Sequence, residues 1–351
     1  MITRDYPPKH SGIATHTCEL VKAIRNLGVR VDVYAGETDF RTLMFPFFHG
    51  IDFQSYDIVH VQSTPYAMFI NHPNIVMTVH APVSVEFKYY PRFVKLKGIG
   101  ALYCEKRSLK KVKHIIAVSD NTKNDVIKEF GLSPEDITTI HNGVDCERFK
   151  PISRKPSDEK RIFMCSRLDK RKNIIDALRV MWSVHNSVHN SEVVEDFQCE
   201  IAGVGPEHDM LVKKANELGI NVRFLGDVSD EELPKRYAES DIFISTSVSE
   251  GFNLTILEAM ASGCAVLVSD ISPHREFVHH FMNGLLYSGF FGLDYLLRFL
   301  FSHPNYVKRF SIEARKTALE FTWDKMAQKT IQVYDKVLSE SNLPLIEPYM
   351  R

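Results

Sequence analysis

The sequence predicts an α/β protein built from two successive, doubly wound parallel sheets. Three observations carry that expectation. Short β-branched apolar runs alternate with helix-periodic segments over most of the chain, the pattern of parallel strands covered on both faces. The alternation breaks at the charged stretch RKPSDEK (154–160) and then resumes. The length of 351 residues is generous for one domain and suits two.

In the first half, IATHTCELVKAIRNLG (13–28) reads as a helix closed by a glycine C-cap. VRVDVYAG (29–36), YDIVHVQ (56–62), NIVMTVHAP (74–82), HIIAVSD (114–120) and DITTIHNGVD (136–145) read as strands. NTKNDVIKEFG (121–131) is a helix between two of them. The opening MITRDYPPKHSG holds only the tail of a strand and its loop, so the first strand is expected to be truncated against the usual length of about five residues. In the second half RIFMCSRL, FQCEIAGVG and NVRFLGDV read as strands, alternating with helices at 173–186 and 208–219. GLLYSGFFGLDYLLRFLF (284–301) is broken by Asp294 and Arg298, which are i,i+4 partners, so a core strand followed by an amphipathic helix is expected.

Composition narrows the function classes. Hydrophobic content of 44% and charged content of 25% are those of a soluble globular chain, and a net charge of −1 gives no field that would favour nucleic acid. Six cysteines stand at 18, 104, 146, 165, 199 and 264 without a CxxC or a metal-ligand spacing, mostly inside apolar patterns. Reduced, buried thiols and a cytoplasmic location are the expectation. No signal peptide is visible and no run is long enough to span a bilayer.

Ser245–Asp270, STSVSEGFNLTILEAMASGCAVLVSD, organises the rest. A buried strand ending at Ser245 leads into a loop with Glu250, Gly251, Phe252 and Asn253, then the helix LTILEAMA, then the buried strand CAVLVSD. A loop-to-helix junction of this kind offers free backbone N–H groups to an anion. Two carboxylates frame it, Glu250 in the loop and Glu258 within the helix, beside its apolar face. A loop glutamate of this kind is costly if its only purpose is folding.

The Glu-x7-Glu spacing in SEGFNLTILEAMASG resembles the retaining glycosyltransferases of family GT4, which adopt the GT-B fold. The resemblance implies two Rossmann-like domains facing across a cleft. It places an N-terminal acceptor domain at 1–153, a nucleotide-sugar domain at 154–320 and a C-terminal helix at 321–345 that returns to the first domain. It implies that Arg167 and Lys172, in SRLDKRKN after a strand, grip the donor diphosphate, with Ser166 where the family has glycine. Backbone N–H groups of Asn253, Leu254 and Thr255, with Phe252 beside them, would meet the phosphate, and the helix dipole would assist. Glu258 would accept both ribose hydroxyls. Glu250 would contact the sugar near its reacting centre, as nucleophile, charge stabiliser or positioning group, charge stabilisation being favoured.

His80, at the carboxyl end of NIVMTVHAP, matches the family's Thr-x-His position at the donor sugar; a lone histidine is more often structural. Gly12 matches the glycine of the first loop, with Ser11 where a second glycine often stands. Gly203 and Gly205 would lie near the nucleoside and Val228 near the base, although both glycines also read as turn residues.

No DxD pair stands at a strand end with acidic partners, so neither a metal nor a cofactor is expected, and cationic side chains replace the ion. The expected partners are a UDP- or GDP-sugar and a saccharide or lipid-linked acceptor. Residues 88–113 carry nine Lys or Arg and one acid, interleaved with aromatic and aliphatic residues. The bland reading is a solvated helix face; the sharper one is contact with an anionic membrane, peripheral at its inner face. The expected activity is metal-independent, retaining transfer of a hexose. A sugar phosphorylase or epimerase would need a pyridoxal lysine or another acid–base set, neither of which is found. The alternative carried forward is a weak or inactive nucleotide-sugar-binding protein of the same fold.

Overall fold

The apolar runs become strands because both of their faces are covered. The structure, a computed structural model, describes residues 1–7, 11–36, 50–62, 64–89, 92–153, 159–186 and 197–341. It divides into two units, Met1–Gly143 with Trp323–Arg351, and Val144–Thr322.

The first unit runs β1 (Ile2–Thr3), α1 (Gly12–Asn26), β2 (Tyr34–Ala35), β3 (Val59–Val61), β4 (Ile75–Val79), α2 (Val83–Glu86), α3 (Arg92–Leu109), β5 (His114–Ala117), α4 (Asp120–Phe130) and β6 (Ile137–Thr139). Its six strands pair in parallel in the order β2-β1-β3-β4-β5-β6, so the winding reverses between β1 and β3. Val59, Val61, Ile75, Met77, Val79, Ile115 and Ala117 fill the core. The helices begin and end on local chemistry. The Ser11 hydroxyl accepts from the Ala14 N–H and the Ser119 hydroxyl from the Thr122 N–H, while Gly131, at φ 66°, closes α4 in the left-handed region.

The second unit runs β7 (Lys160–Cys165), α5 (Ile174–Asn186), β8 (Phe197–Ala202), α6 (His208–Leu218), β9 (Val222–Gly226), α7 (Leu233–Ala238) and β10 (Ile242–Ser245). It continues with α8 (Leu254–Ala261), β11 (Ala265–Ser269), α9 (Ser272–Arg275), β12 (Leu285–Tyr287), α10 (Gly289–Ser302) and α11 (Pro304–Ala318). The parallel order is β12-β11-β10-β7-β8-β9, reversing between β7 and β10. Ligands of open parallel sheets bind outside the carboxyl ends of strands at such a reversal. The last helix, α12 (Trp323–Ser339), packs on α1 within the first unit, and its Tyr334 hydroxyl meets the His60 ring.

Some boundaries differ from the sequence reading. Only Tyr34–Ala35 of the stretch 29–36 pairs as strand, at the sheet edge beyond the two-residue β1. The units part at Gly143 and Val144, ahead of the charged stretch, of which 154–158 lie outside the described residues. The reason is the anchoring of 144–149. The Val144 N–H donates to the Phe321 carbonyl, and the Arg315 guanidinium donates to the carbonyls of Cys146, Phe149 and Ala261. Asp294 and Arg298 are paired on α10 as expected, Nε to Oδ2 at 2.8 Å. All six cysteines are free thiols. Among the described residues no helix is long and apolar enough to cross a membrane.

Arg315 thus ties the start of its unit to the last turn of α8. Arg315→Ala leaves three carbonyls without their charged donor. It is expected to lower stability by about 2–4 kcal/mol, read as a fall in the urea midpoint without a change in slope.

Candidate functional site

In the second unit, loops after β7 and β10 meet where the strand order reverses. The Thr246 hydroxyl donates to the Lys172 carbonyl at 2.7 Å, and the Val248 N–H donates to the Arg171 carbonyl at 2.9 Å. This backbone stitching brings the Lys172 ammonium against Glu250 Oε1 in a short charged hydrogen bond, with Arg171 Nη1 3.9 Å from Oε2. Both partners are nearly covered, Lys172 at 12% and Glu250 at 7% side-chain exposure. Burial alone would push the Glu250 carboxyl up, but Lys172 and Arg171 outweigh it and, with Ser247, bring it down to about 2. Glu250 is therefore ionised throughout the neutral range.

Asn253 precedes α8 at φ 84° and ψ 77°, in the left-handed region that Asn tolerates better than most residues, and its side chain caps no N–H of that helix. It is occupied elsewhere. Its Nδ2 donates to Ser245 Oγ at 3.2 Å and to His274 Nε2 at 3.1 Å, while its Oδ1 accepts from the Thr255 hydroxyl at 2.8 Å. His274 can accept there because its Nδ1–H donates to the Ser269 carbonyl at 2.8 Å. Burial, partly offset by Glu250, brings His274 down to about 4, so it is neutral at working pH. The Asn253 amide nitrogen is thereby turned to Ser245 and His274, and the side chain leaves the first N–H groups of the helix uncapped. Phe252 is buried against Phe277, ring centroids 5.1 Å apart, and acts as an anchor of this turn.

Glu258 lies on α8, partly buried, and its Oε2 accepts from the Tyr237 hydroxyl at 2.8 Å. Burial raises its pKa and the Tyr237 bond opposes the rise. Arg167 is exposed after β7, its Nε 3.7 Å from Asp169 Oδ2. Val228 is half-buried just beyond β9.

Gly203 and Gly205 are required by close packing. A Cβ on Gly203, at φ 129°, would lie 1.8 Å from the Ser166 carbonyl oxygen, and one on Gly205 would lie 2.3 Å from that of Leu168. The loop bearing Arg167 rests on these glycines, with the Ser166 N–H donating to the Ala202 carbonyl and the Leu168 N–H to Val204.

In the first unit, Gly12 opens α1, and among the described residues a Cβ there would meet no atom within 4 Å beyond its chain neighbours and its own helix. His80 follows β4, half-buried, and is not a lone histidine. Its Nε2 lies 3.1 Å from Gln62 Oε1, and its ring is 4.4 Å from that of buried His16 in a T-shaped contact. His16 Nδ1 lies 2.8 Å from Asn142 Oδ1. Burial, reinforced by charge repulsion from His16 and His60, holds His80 well below the ordinary histidine range.

The structure brings Lys172, Glu250 and the Asn253 turn together and places Glu258 on the helix that follows. Sequence reasoning missed Arg171, Tyr237 and His274, and His16, His60 and Gln62 in the first unit. A signal existed for some. His60 and Gln62 are polar residues around an apolar strand, and His16 sits on the apolar face of α1 with Leu20 and Ile24.

Comparison with known proteins follows this geometry. Residues 145–316 match the description "Glycosyl transferases group 1", and residues 43–148 match "Glycosyltransferase Family 4". The chain is 31% identical, over 63% of its length and 59% of the relative's, to an uncharacterized glycosyltransferase of Methanocaldococcus jannaschii. It is 26% identical, over 76% of its length and 66% of the relative's, to an MMP alpha-(1->4)-mannosyltransferase of Mycolicibacterium hassiacum. These matches span less than two thirds of each relative. Its fold is similar to that of Anabaena HepE solved with UDP-glucose, with a TM-score of 0.74 and 19% identity over 95% of this chain and 99% of that one.

Two outcomes test this geometry. Gly203→Ala is expected to cost about 3 kcal/mol, because a backbone carbonyl must move and the left-handed φ is strained; a calorimetric melt within a degree or two of wild type overturns the packing account. For Glu250, a folded pKa below the ordinary 4.5 means its contribution is complete above about 4.5 and is lost as pH falls toward about 2. Glu250→Gln is therefore expected to lose about 3 kcal/mol at neutral pH, and its deficit should shrink as unfolding is measured at progressively lower pH below about 4.5.

Proposed function

The chain belongs to the group 1 glycosyltransferases, with the two parallel-sheet domains of the GT-B fold, and from that premise we propose that it transfers a hexose from a nucleotide-diphosphate sugar to a saccharide or lipid-linked acceptor, with retention and without a metal. The observation that carries the reading is the Lys172–Glu250 pair beside the left-handed Asn253 turn, at the reversal of the second sheet.

Cleavage of a sugar–diphosphate bond builds negative charge on the leaving group and positive charge on the ring, so fixed charges of both signs must be ready. Arg167, Lys172 and the N–H groups of Leu254 and Thr255 supply the positive side in the proposed site. Glu250 supplies the negative one. Held ionised near pKa 2 and bonded to Lys172 through Oε1, it is a poor general acid and an encumbered nucleophile, which favours charge stabilisation at the sugar. Glu258 has Oε2 engaged by Tyr237 and is proposed to receive the ribose hydroxyls. Gly12, without a side chain, is proposed to let the diphosphate approach the backbone. His80 is proposed to face the donor sugar as a neutral imidazole, and Val228 the base. The nucleotide-sugar class is supported by HepE, whose structure holds UDP-glucose.

Membrane contact through 88–113 belongs to the same proposal. Residues 90 and 91 lie outside the described residues, as do the side chains of 89 and 92–98. On the remainder of α3, Ile99 and Tyr103 are 58% and 55% exposed, and Lys106 and Arg107 are exposed at helical spacings from them, as is Lys110 just past the helix end. An apolar and basic face of this kind suits an anionic surface.

Assays with UDP-glucose, UDP-N-acetylglucosamine and GDP-mannose test the reading. One donor is expected to turn over, EDTA is expected to leave the rate unchanged, and proton NMR is expected to show the donor's anomeric configuration in the product. Lys172→Ala and Glu258→Ala should each lower kcat/KM about 100-fold or more. Wild-type rates in both variants, inversion, or loss of activity in EDTA would sink it, and no turnover of any donor would favour the inactive binding protein.

A further inference from the structure

We propose that Gln62, His60 and Tyr334 form a positioning relay that holds His80 in one tautomer, with the proton on Nε2 and Nδ1 left bare as an acceptor. This goes beyond the proposed function and rests on it only for what the bare nitrogen is used for.

The relay is a continuous line of polar atoms inside the first unit. His80 Nε2 lies 3.1 Å from Gln62 Oε1, and Gln62 Nε2 lies 3.4 Å from His60 Nε2. His60 Nε2 lies 2.8 Å from Thr78 Oγ1, and His60 Nδ1 lies 2.6 Å from the Tyr334 hydroxyl on α12. Gln62, His60 and Thr78 are buried to within a few per cent of full coverage, so each polar group needs a partner of the right sense.

Two facts set the direction. First, Gln62 Nε2 is 3.5 Å from the Met1 sulfur, which can accept weakly and cannot donate. The amide nitrogen therefore faces Met1 and His60, and its oxygen faces His80. Second, His60 Nε2 faces the Gln62 amide nitrogen, which can only donate, so that nitrogen must be the bare one, its single lone pair shared with the nearer Thr78 hydroxyl. His60 then carries its proton on Nδ1 and donates to Tyr334. The Tyr334 hydroxyl can donate its hydrogen bond to water, because Tyr334 and His60 line a cavity of about 100 Å³ with Met1 and Tyr56.

With the Gln62 oxygen facing His80, His80 Nε2 must donate, and Nδ1 is the nitrogen free to accept. His16 braces the ring from the side at 4.4 Å, its own Nδ1 engaged by Asn142. A fixed tautomer matters because a ring that flips between two offers the wrong atom part of the time. Gln62, His60 and Tyr334 are therefore positioning residues, acting through His80.

The test is nitrogen-15 NMR of the full chain labelled at histidine, without ligand, with the His80 signal assigned by its loss in His80→Gln. In wild type a single Nε2–H tautomer is expected for His80. In Gln62→Leu the signal should move to a mixture of tautomers. Tyr334→Phe should shift the His60 signals and move His80 in the same direction by less. If Gln62→Leu is poorly folded, Tyr334→Phe carries the test alone. With a donor that turns over, Gln62→Leu is expected to lower kcat about tenfold with KM for the nucleotide sugar unchanged. A His80 protonated on Nδ1 in wild type, or an unchanged His80 signal in folded Gln62→Leu, overturns the relay. A fixed tautomer in a protein that transfers no sugar leaves the relay standing and removes the functional reading instead.

Discussion

The second unit depends on one buried ion pair. Lys172 and Glu250 come from loops that follow different strands, β7 and β10, adjacent in the sheet but 78 residues apart in sequence. An isolated charge in so covered a place would be expensive, and together the two groups offset much of that cost. The hydrogen bonds from Thr246 and Val248 hold the two loops in the register in which the side chains pair. Ser269 adds a third tie by donating to the Ser247 carbonyl from the end of β11. Three consecutive strand ends are thus joined where the winding reverses, and the left-handed turn at Asn253 starts from a rigid base.

That rigidity explains why one residue type carries opposite electrostatics at two nearby positions. Glu250 is pulled down by two cations despite burial, whereas Glu258 is pushed up by burial, with only a neutral phenol bonded to it. Under the proposed function this division is useful. A permanent anion belongs beside a ring that gains positive charge. A carboxylate bonded to a single hydroxyl retains acceptor capacity for other hydroxyls.

Much of this was legible from the chain. The alternation of strand and helix patterns, the helix at 254–261 and the two glutamates follow from local periodicity, which burial on both sheet faces enforces. The contacts that place the site were not, because they join residues far apart in sequence. Nothing near Tyr237 announces that its hydroxyl reaches Glu258, and nothing near His274 shows that it accepts a hydrogen bond from Asn253. The glycines at 203 and 205 were visible as turn residues, but what makes them necessary is the backbone of 166–168 lying against them. The division between units was misplaced for a similar reason. Composition marks the polar stretch, whereas Arg315, well over a hundred residues later, decides where 144–149 belongs.

The first unit obeys the same logic with neutral groups. A histidine after a strand could be an ordinary surface residue, and the single sequence cannot distinguish that case. What distinguishes His80 is the direction of the polar line behind it, which the Met1 thioether sets because it can accept and cannot donate. Orientation without charge costs little desolvation, so a row of neutral groups can be buried where a row of ions could not. Under the proposed function the second unit needs charge where charge develops, and it meets the cost with a matched pair. The first needs only one lone pair aimed in one direction, and hydrogen bonds among uncharged side chains are sufficient for that.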